Sequence, residues 1–167
     1  PPDRAPRDIL GLSAADDGLF VACRNGFVYL IAPDGTLRWR ALAGPQIVSV
    51  PLTLDVNGDG ALDVIVVTAD GKLVGIDGRS GRTPWVLTVP GGAPTRRDRA
   101  PLVQAGLAAG DYLAAPGPEV AVSTDAGDVY VVTTRPFRVA WHQRVGAGSA
   151  AAPLTFSGAP DGKAPVF

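Results

Sequence analysis

Residues 50–85 read VPLTLDVNGDGALDVIVVTADGKLVGIDGRSGRTPW and contain one complete unit of an internal repeat. Short apolar segments alternate in this stretch with turns rich in Gly, Asp and Pro, a pattern typical of strands joined by tight turns. The segments predict four strands, at 50–54, 62–68, 73–76 and 84–88. The second of these is apolar on both faces, as expected where neighbouring layers cover both sides of a strand. No sustained helical periodicity occurs, so we predict almost no helix.

Two sets of markers repeat along the chain in the same register. A proline begins each unit, at Pro6, Pro51, Pro101 and Pro153. A tryptophan ends each of the first three units, at Trp39, Trp85 and Trp141. Each tryptophan is preceded by a glycine-led hairpin motif (GFVY, GKLV or GDVY), and the motif and the tryptophan together form the second marker. Two independent markers in one register indicate a repeated structural unit of about 45–50 residues.

Four short strands per unit at this spacing are typical of β-propeller blades. We therefore predict an all-β fold, a fragment of a β-propeller made of four-stranded antiparallel blades. The blades are expected at about 6–46, 51–92 and 101–148, with the start of a fourth at 153–167. Propellers usually have four to eight blades, so we expect that these three and a half blades do not close a ring alone. The rest of the propeller or other protein subunits would then cover the open sides.

Composition excludes several classes of protein. The 167 residues are 46% hydrophobic and 19% charged, which is enough apolar sequence for a core and argues against disorder. The net charge is −1, so no basic excess indicates nucleic-acid binding. No apolar run is long enough to span a bilayer. Cys23 is the only cysteine, so no disulfide forms within the chain.

One loop of the second unit carries the residues of a metal site. In residues 55–63, oxygen-bearing side chains occupy positions 1, 3, 5 and 9. Calcium takes six to eight hard oxygen ligands, and alternate positions of a tight loop can converge on one point. We predict a calcium site whose ligands are Asp55, Asn57, Asp59, the Ala61 carbonyl and Asp63.

The same residues are also compatible in part with an EF-hand loop and with a turn that binds no metal. An EF-hand needs a bidentate Glu at position 12 and flanking helices, but position 12 is Val66 and the flanks are predicted strands, so that interpretation fails. A metal-free turn stays open, because Asp, Asn and Gly form turns without any ion.

At this point the sequence resembles two known kinds of propeller repeat. The loop at 55–63 resembles the calcium loop of FG-GAP repeats, which form the blades of integrin α-subunit propellers and follow D-x-[DN]-x-D-G-x-x-D. Residues 75–85, GIDGRSGRTPW, resemble the end of the PQQ-like propeller repeat. The second resemblance implies that Trp39, Trp85 and Trp141 pack between adjacent blades. Only the second unit keeps the calcium ligands, so we expect one site.

These features favour a non-enzymatic calcium-binding propeller that serves as a protein-interaction or assembly scaffold. His142 is the only histidine, and no catalytic set surrounds it in sequence. The alternative is a fragment of a PQQ-dependent quinoprotein dehydrogenase, although the resemblance to that class implies vicinal cysteines and this chain has one cysteine. Calcium loops of this kind suit extracellular or periplasmic calcium levels, so we expect an extracytoplasmic location. We expect protein partners, no nucleic acid and no membrane span.

Overall fold

A computed structural model describes residues 9–89, 106–111, 113–124 and 127–146. Every regular element in these ranges is a β-strand, and the twelve strands form three four-stranded sheets. The described residues therefore include no helix that is long and apolar enough to cross a membrane. The predicted start of a fourth blade, 153–167, lies outside the described residues.

The strands follow one another in chain order. The first sheet consists of β1 (Ile9–Ala15), β2 (Gly18–Cys23), β3 (Phe27–Ile31) and β4 (Leu37–Leu42). The second consists of β5 (Leu52–Leu54), β6 (Asp63–Val67), β7 (Lys72–Ile76) and β8 (Trp85–Thr88). The third consists of β9 (Gly106–Gly110), β10 (Glu119–Ser123), β11 (Asp128–Thr134) and β12 (Phe137–Arg144).

Each sheet is an antiparallel meander in which sequential strands are neighbours. Several of the turns contain a glycine with left-handed backbone, for example Gly71, whose φ is 78°. Sequential hairpins of four short strands are the unit of a propeller blade. The prediction of an all-β propeller fragment with four-stranded antiparallel blades is confirmed, and the sheets are called blades 1, 2 and 3 below.

The blades are stacked by two apolar clusters that share the central strand β6. Val64 and Val66 face a cluster that includes Phe20, Val28 and Ile47 from blade 1 and its connection. The alternate residues of β6, Ile65 and Val67, face a second cluster that includes Val120, Val122 and Val132 of blade 3. All five residues of β6 are buried. At about 1.5–3 kcal/mol for each fully buried aliphatic side chain, this strand is a main source of blade-to-blade stability.

Two of the marker tryptophans contribute to the contacts between blades. The Trp39 indole N–H of blade 1 donates a hydrogen bond of 2.9 Å to the Gly78 carbonyl of blade 2. Its ring lies 5.7 Å from the ring of Phe20. Trp85 of blade 2 packs against the cluster that contains the valines of blade 3. The interblade position implied for the tryptophans is confirmed for Trp39. Trp85 packs on a cluster to which blades 2 and 3 both contribute, and Trp141 is 38% exposed among the described residues.

The hydrogen bond of Trp39 gives a first test of the interblade contact. Trp39→Phe keeps an aromatic ring but removes the donor to Gly78. We expect the free energy of unfolding to fall by about 1 kcal/mol more than the smaller ring alone would cause. Trp85→Phe is the matched control, because its indole N–H has no hydrogen-bond partner among the residues that the structure describes. The measurement is urea unfolding of both variants. Equal destabilisation of the two would contradict an energetic role for the Trp39 bond.

Candidate functional site

The candidate loop connects the inner strand β5 to β6, at the end of blade 2 where the β7–β8 turn also lies. Two of its residues, Gly58 and Gly60, have φ values of 82° and 81°. This left-handed conformation is readily adopted by glycine and strains most other residues. The two glycines therefore allow the loop to curl tightly between its polar side chains.

Three of the predicted ligands are brought together by this curl. The Asp55 carboxylate accepts hydrogen bonds from the backbone N–H groups of Gly58, Asp59 and Gly60, at 2.6, 3.1 and 3.0 Å. Asn57 Oδ1 accepts the Asp59 N–H at 2.9 Å, and Asp59 Oδ1 accepts the N–H of Ala61 at 2.8 Å. The side-chain oxygens at positions 1, 3 and 5 thus turn back onto the loop itself.

Asp59 is the exposed end of this set. Its pKa is lowered, chiefly by the hydrogen bond from the Ala61 backbone, then by the Asn57 amide and by the positive charge of Arg79. The Asn57 amide donates to Asp59 Oδ2 at 3.0 Å. These donors stabilise the ionised carboxylate, which is the form that a cation needs.

Asp63 has a different environment from the other four predicted ligands. Its side chain is only 1% exposed, at the first position of β6. Asp63 Oδ2 accepts the Val56 N–H at 3.0 Å, and Oδ1 accepts the Gly78 N–H at 3.0 Å. Burial raises the pKa of Asp63, while the two amides oppose that rise. The carboxylate therefore ties the start of the candidate loop to the β7–β8 turn.

Side chains from both neighbouring blades reach the loop. From blade 1, Asp16 Oδ2 accepts the Leu62 N–H at 2.8 Å. From blade 3, the Arg135 guanidinium lies against the loop backbone, since a Cβ added at Gly58 would be 2.4 Å from one of its nitrogens. The loop is therefore held at the junction of three blades.

The chemistry of the loop suits calcium, but its geometry is not that of a complete metal centre. Asp55, Asn57, Asp59 and Asp63 present oxygen ligands for a cation. Asp55 Oδ2 and the oxygens of Asp59 and Asp63 each accept one proton and keep a second lone pair, whereas Asp55 Oδ1 already accepts two. However, the described residues contain no group of three or more His, Cys, Asp or Glu side chains arranged to hold a metal ion. The five-ligand calcium site, including the Ala61 carbonyl, therefore stays a prediction.

Blade 3 has a carboxylate at the position equivalent to Asp63. Leu54 pairs with Asp63 across β5 and β6, and Gly110 pairs with Glu119 across β9 and β10. Glu119 is fully buried, and its Oε2 accepts the Leu113 N–H at 3.3 Å. Two blades thus use a buried carboxylate at the start of the second strand to hold the preceding loop. This recurrence indicates a bracing role for Asp63.

A polar cluster in blade 3 was missed from the sequence. His142 Nε2 lies 2.9 Å from Asp128 Oδ1, and its ring stacks on Tyr130 at 4.4 Å. Burial, with a smaller contribution from Asp128, raises the pKa of Tyr130. Tyr130 is paired with His142 across β11 and β12, in a register that shifts between Val131 and Val132, so residue alternation along the hairpin did not indicate the cluster. Because its three side chains come from the paired strands β11 and β12, we interpret the cluster as a strand-to-strand contact.

Fold and sequence together define the class of protein as a PQQ-like β-propeller. The family described as "Outer membrane protein assembly factor BamB" matches residues 7–154, which is most of the chain. The chain belongs to this family. The match supports the PQQ-like part of the predicted resemblance, whereas the FG-GAP part continues to depend on the loop residues alone. No curated protein matches the chain significantly.

Solved propellers share the fold at low sequence identity. BamB from Moraxella catarrhalis is 21% identical with a TM-score of 0.58, and the alignment covers 86% of this chain and 37% of that one. AztD from Citrobacter koseri is 17% identical with a TM-score of 0.59, covering 89% and 38%. The computationally designed Ika8 protein is 12% identical with a TM-score of 0.66, covering 90% and 40%. The chain thus spans about two fifths of the length of these propellers.

The buried carboxylate gives a second test. Asp63→Asn keeps the shape of the side chain but replaces one acceptor oxygen by an NH₂ donor that faces a backbone N–H. We therefore expect the free energy of unfolding to fall by about 1–3 kcal/mol. Asp77→Asn is the control, because the Asp77 carboxyl accepts the Ser80 N–H through one oxygen in an exposed turn and Asn keeps such an oxygen. Chemical unfolding measures both. A neutral Asp63→Asn variant would contradict the bracing role.

The pKa of Asp63 predicts how the difference in stability between wild type and Asp63→Asn depends on pH. Because the native pKa is raised above 3.8, the native state binds the proton more tightly than the unfolded chain. The contribution to stability is therefore fully present below 3.8 and decreases as pH rises through the native pKa. The stability of wild type relative to Asp63→Asn should be greater at about pH 4 than at about pH 7. A difference that grows with pH would contradict the raised pKa.

Proposed function

We propose that this chain is a non-enzymatic propeller module that serves as a protein-interaction scaffold in an extracytoplasmic assembly process. The observation that carries this proposal is the family match across residues 7–154, because the family is described as an outer membrane protein assembly factor. An extracytoplasmic location is part of the same proposal, since assembly of outer membrane proteins takes place outside the cytoplasm.

The form of the described blades supports a scaffold. Side chains of blades 1 and 3 converge on the β5–β6 loop of blade 2, and short turns lie beside this loop at the same end of the described blades. Rigid loops at the end of a propeller can present several binding groups at fixed separations. The partner is expected to be protein, with the remainder of the propeller completing the ring.

The alternative is a fragment of a PQQ-dependent quinoprotein dehydrogenase. The PQQ-like repeats favour it, but Cys23 is a single buried cysteine in β2 and cannot supply the vicinal pair that this resemblance implies. His142, the only histidine, is already stacked on Tyr130 and bonded to Asp128. The scaffold is therefore the better supported of the two functions.

The scaffold proposal is tested by crosslinking the chain in its native host, followed by affinity capture and mass spectrometry. We expect outer membrane assembly proteins among the crosslinked partners and recovery of the chain from an extracytoplasmic fraction. Recovery from the cytoplasm without protein partners would contradict the proposal. A quinone absorbance that copurifies with the chain would instead support the dehydrogenase alternative.

We also propose that the loop at 55–63 binds calcium as a local brace. Asp55, Asn57 and Asp59 are curled onto one loop, and the positive charge of Arg79 is close enough to the Asp59 carboxylate to lower its pKa. A divalent cation would relieve the repulsion between Asp55 and Asp59. Asp63 and the Ala61 carbonyl complete the proposed ligand set.

Calcium binding is tested by thermal unfolding with calcium and with a chelator. Calcium at about 100 times its dissociation constant should increase the free energy of unfolding by about 2.7 kcal/mol and raise Tm by roughly 5–10 °C. Asp59→Ala should abolish the shift. Asp34→Ala is the matched control, since Asp34 accepts the Thr36 N–H in an exposed turn of blade 1 outside the loop. If Asp59→Ala retains the full calcium shift, the site is wrong.

A further inference from the structure

An open cleft lies between blades 1 and 2, next to the candidate loop. Its volume is about 610 Å³, and its walls come from the β1–β2 turn, the end of the β5–β6 loop and the β7–β8 turn. None of the residues that form it belongs to the five proposed calcium ligands except Ala61. The cleft rests on interblade packing, so it is a feature of the assembled blades rather than of one repeat.

The inner wall of the cleft is a fixed aromatic surface. Phe20 is 1% exposed and forms the base, and its ring is tilted by 39° against the half-buried ring of Trp39. Trp39 is held in place by its hydrogen bond to Gly78 and by close contact with Gly81, where an added Cβ would be 2.8 Å from the indole. An indole with few remaining rotamers loses little entropy on binding, as in the aromatic hot spots of protein interfaces.

Two arginines stand at the mouth of the cleft. Among the described residues, Arg38 forms an exposed ion pair with Asp17 at 3.5 Å, of a kind that contributes little and exchanges readily. Arg79 donates to the backbone carbonyl of Asp59 at 3.3 Å, and no carboxylate of the described residues lies within ion-pair distance of it. Each guanidinium therefore keeps most of its five donors for another acceptor.

Each of the two carboxylates in the cleft faces a donor of the protein, whereas Arg79 faces an uncharged carbonyl, so a ligand is expected to carry a negative charge. Asp16 accepts the Leu62 N–H, and Asp17 accepts Arg38. A ligand carboxylate can bind the planar fork of a guanidinium through two parallel hydrogen bonds. A neighbouring aromatic side chain can pack on Trp39 at the same time.

We propose that this cleft, which we name the interblade cleft, binds a partner polypeptide segment that carries a carboxylate beside an aromatic side chain. Arg79 and Arg38 bind the carboxylate, and Trp39 packs against the aromatic group. This inference rests on the proposed scaffold function, and it adds a place and a chemistry for the contact.

The test uses the full 167-residue chain and a fluorescein-labelled peptide in which Phe is flanked by two Asp residues. Binding is followed by fluorescence anisotropy, and the indole N–H resonance of Trp39, assigned with Trp39→Phe, reports where the peptide binds. We expect binding with a shifted Trp39 resonance. We expect at least about tenfold weaker binding when Asn replaces both Asp residues of the peptide. No binding up to about 1 mM would overturn the proposal.

Two neighbouring arginines separate a specific contact from general charge attraction. Arg79→Glu should weaken binding of the acidic peptide about tenfold or more. Arg82→Glu is the matched control, because Arg82 is exposed near the same β7–β8 turn but does not line the cleft. Equal losses in both variants would overturn the proposal. So would a Trp39 shift of equal size with inorganic phosphate or anionic phosphatidylglycerol vesicles, which would indicate a general anion site.

Crosslinking of the arginine variants distinguishes failure of the interblade cleft proposal from failure of the scaffold proposal. If crosslinking in the host captures assembly proteins but Arg79→Glu leaves that capture unchanged, the scaffold function stands and the interblade cleft is not the docking site. If capture is lost with Arg79→Glu and kept with Arg82→Glu, both proposals are supported.

Discussion

The buried carboxylate of Asp63 is the constraint on which the site depends. An ionised group that is almost fully excluded from water is costly unless hydrogen bonds compensate it. For Asp63, the N–H groups of Val56 and Gly78, which belong to two different connections of blade 2, offset part of this cost. Gly78 in turn accepts the indole N–H of Trp39 from blade 1. One side chain therefore links the candidate loop, the β7–β8 turn and the neighbouring blade.

The same linkage relates the core to the surface that we propose for binding. Strand β6 begins at Asp63, and its alternate residues then pack against blade 1 on one side and blade 3 on the other. Because the blades are held at fixed spacing by this strand, the turns at its end are also fixed relative to one another. A rigid arrangement of Trp39, Arg38 and Arg79 lowers the entropy cost of binding a partner.

Much of the fold could be predicted from the sequence because the repeat markers keep one register. The strands of blade 2, for example 62–68 against the observed Asp63–Val67, lie within two residues of their predicted bounds. The roles of buried polar residues could not be predicted in the same way. Whether Asp63 points to an ion or to Gly78 depends on contacts from another hairpin. The pairing of Asp128 with His142 depends on a register that shifts between Val131 and Val132.

Native-state hydrogen exchange at two amides tests the central role of Asp63 most directly. If the buried carboxylate holds both connections, the N–H groups of Val56 and Gly78 should exchange as slowly as the amides of the β6–β7 ladder, through global unfolding. The N–H of Gly60, which donates to the exposed Asp55, should exchange much faster. Exchange of Val56 and Gly78 at the rate of Gly60 would contradict the account.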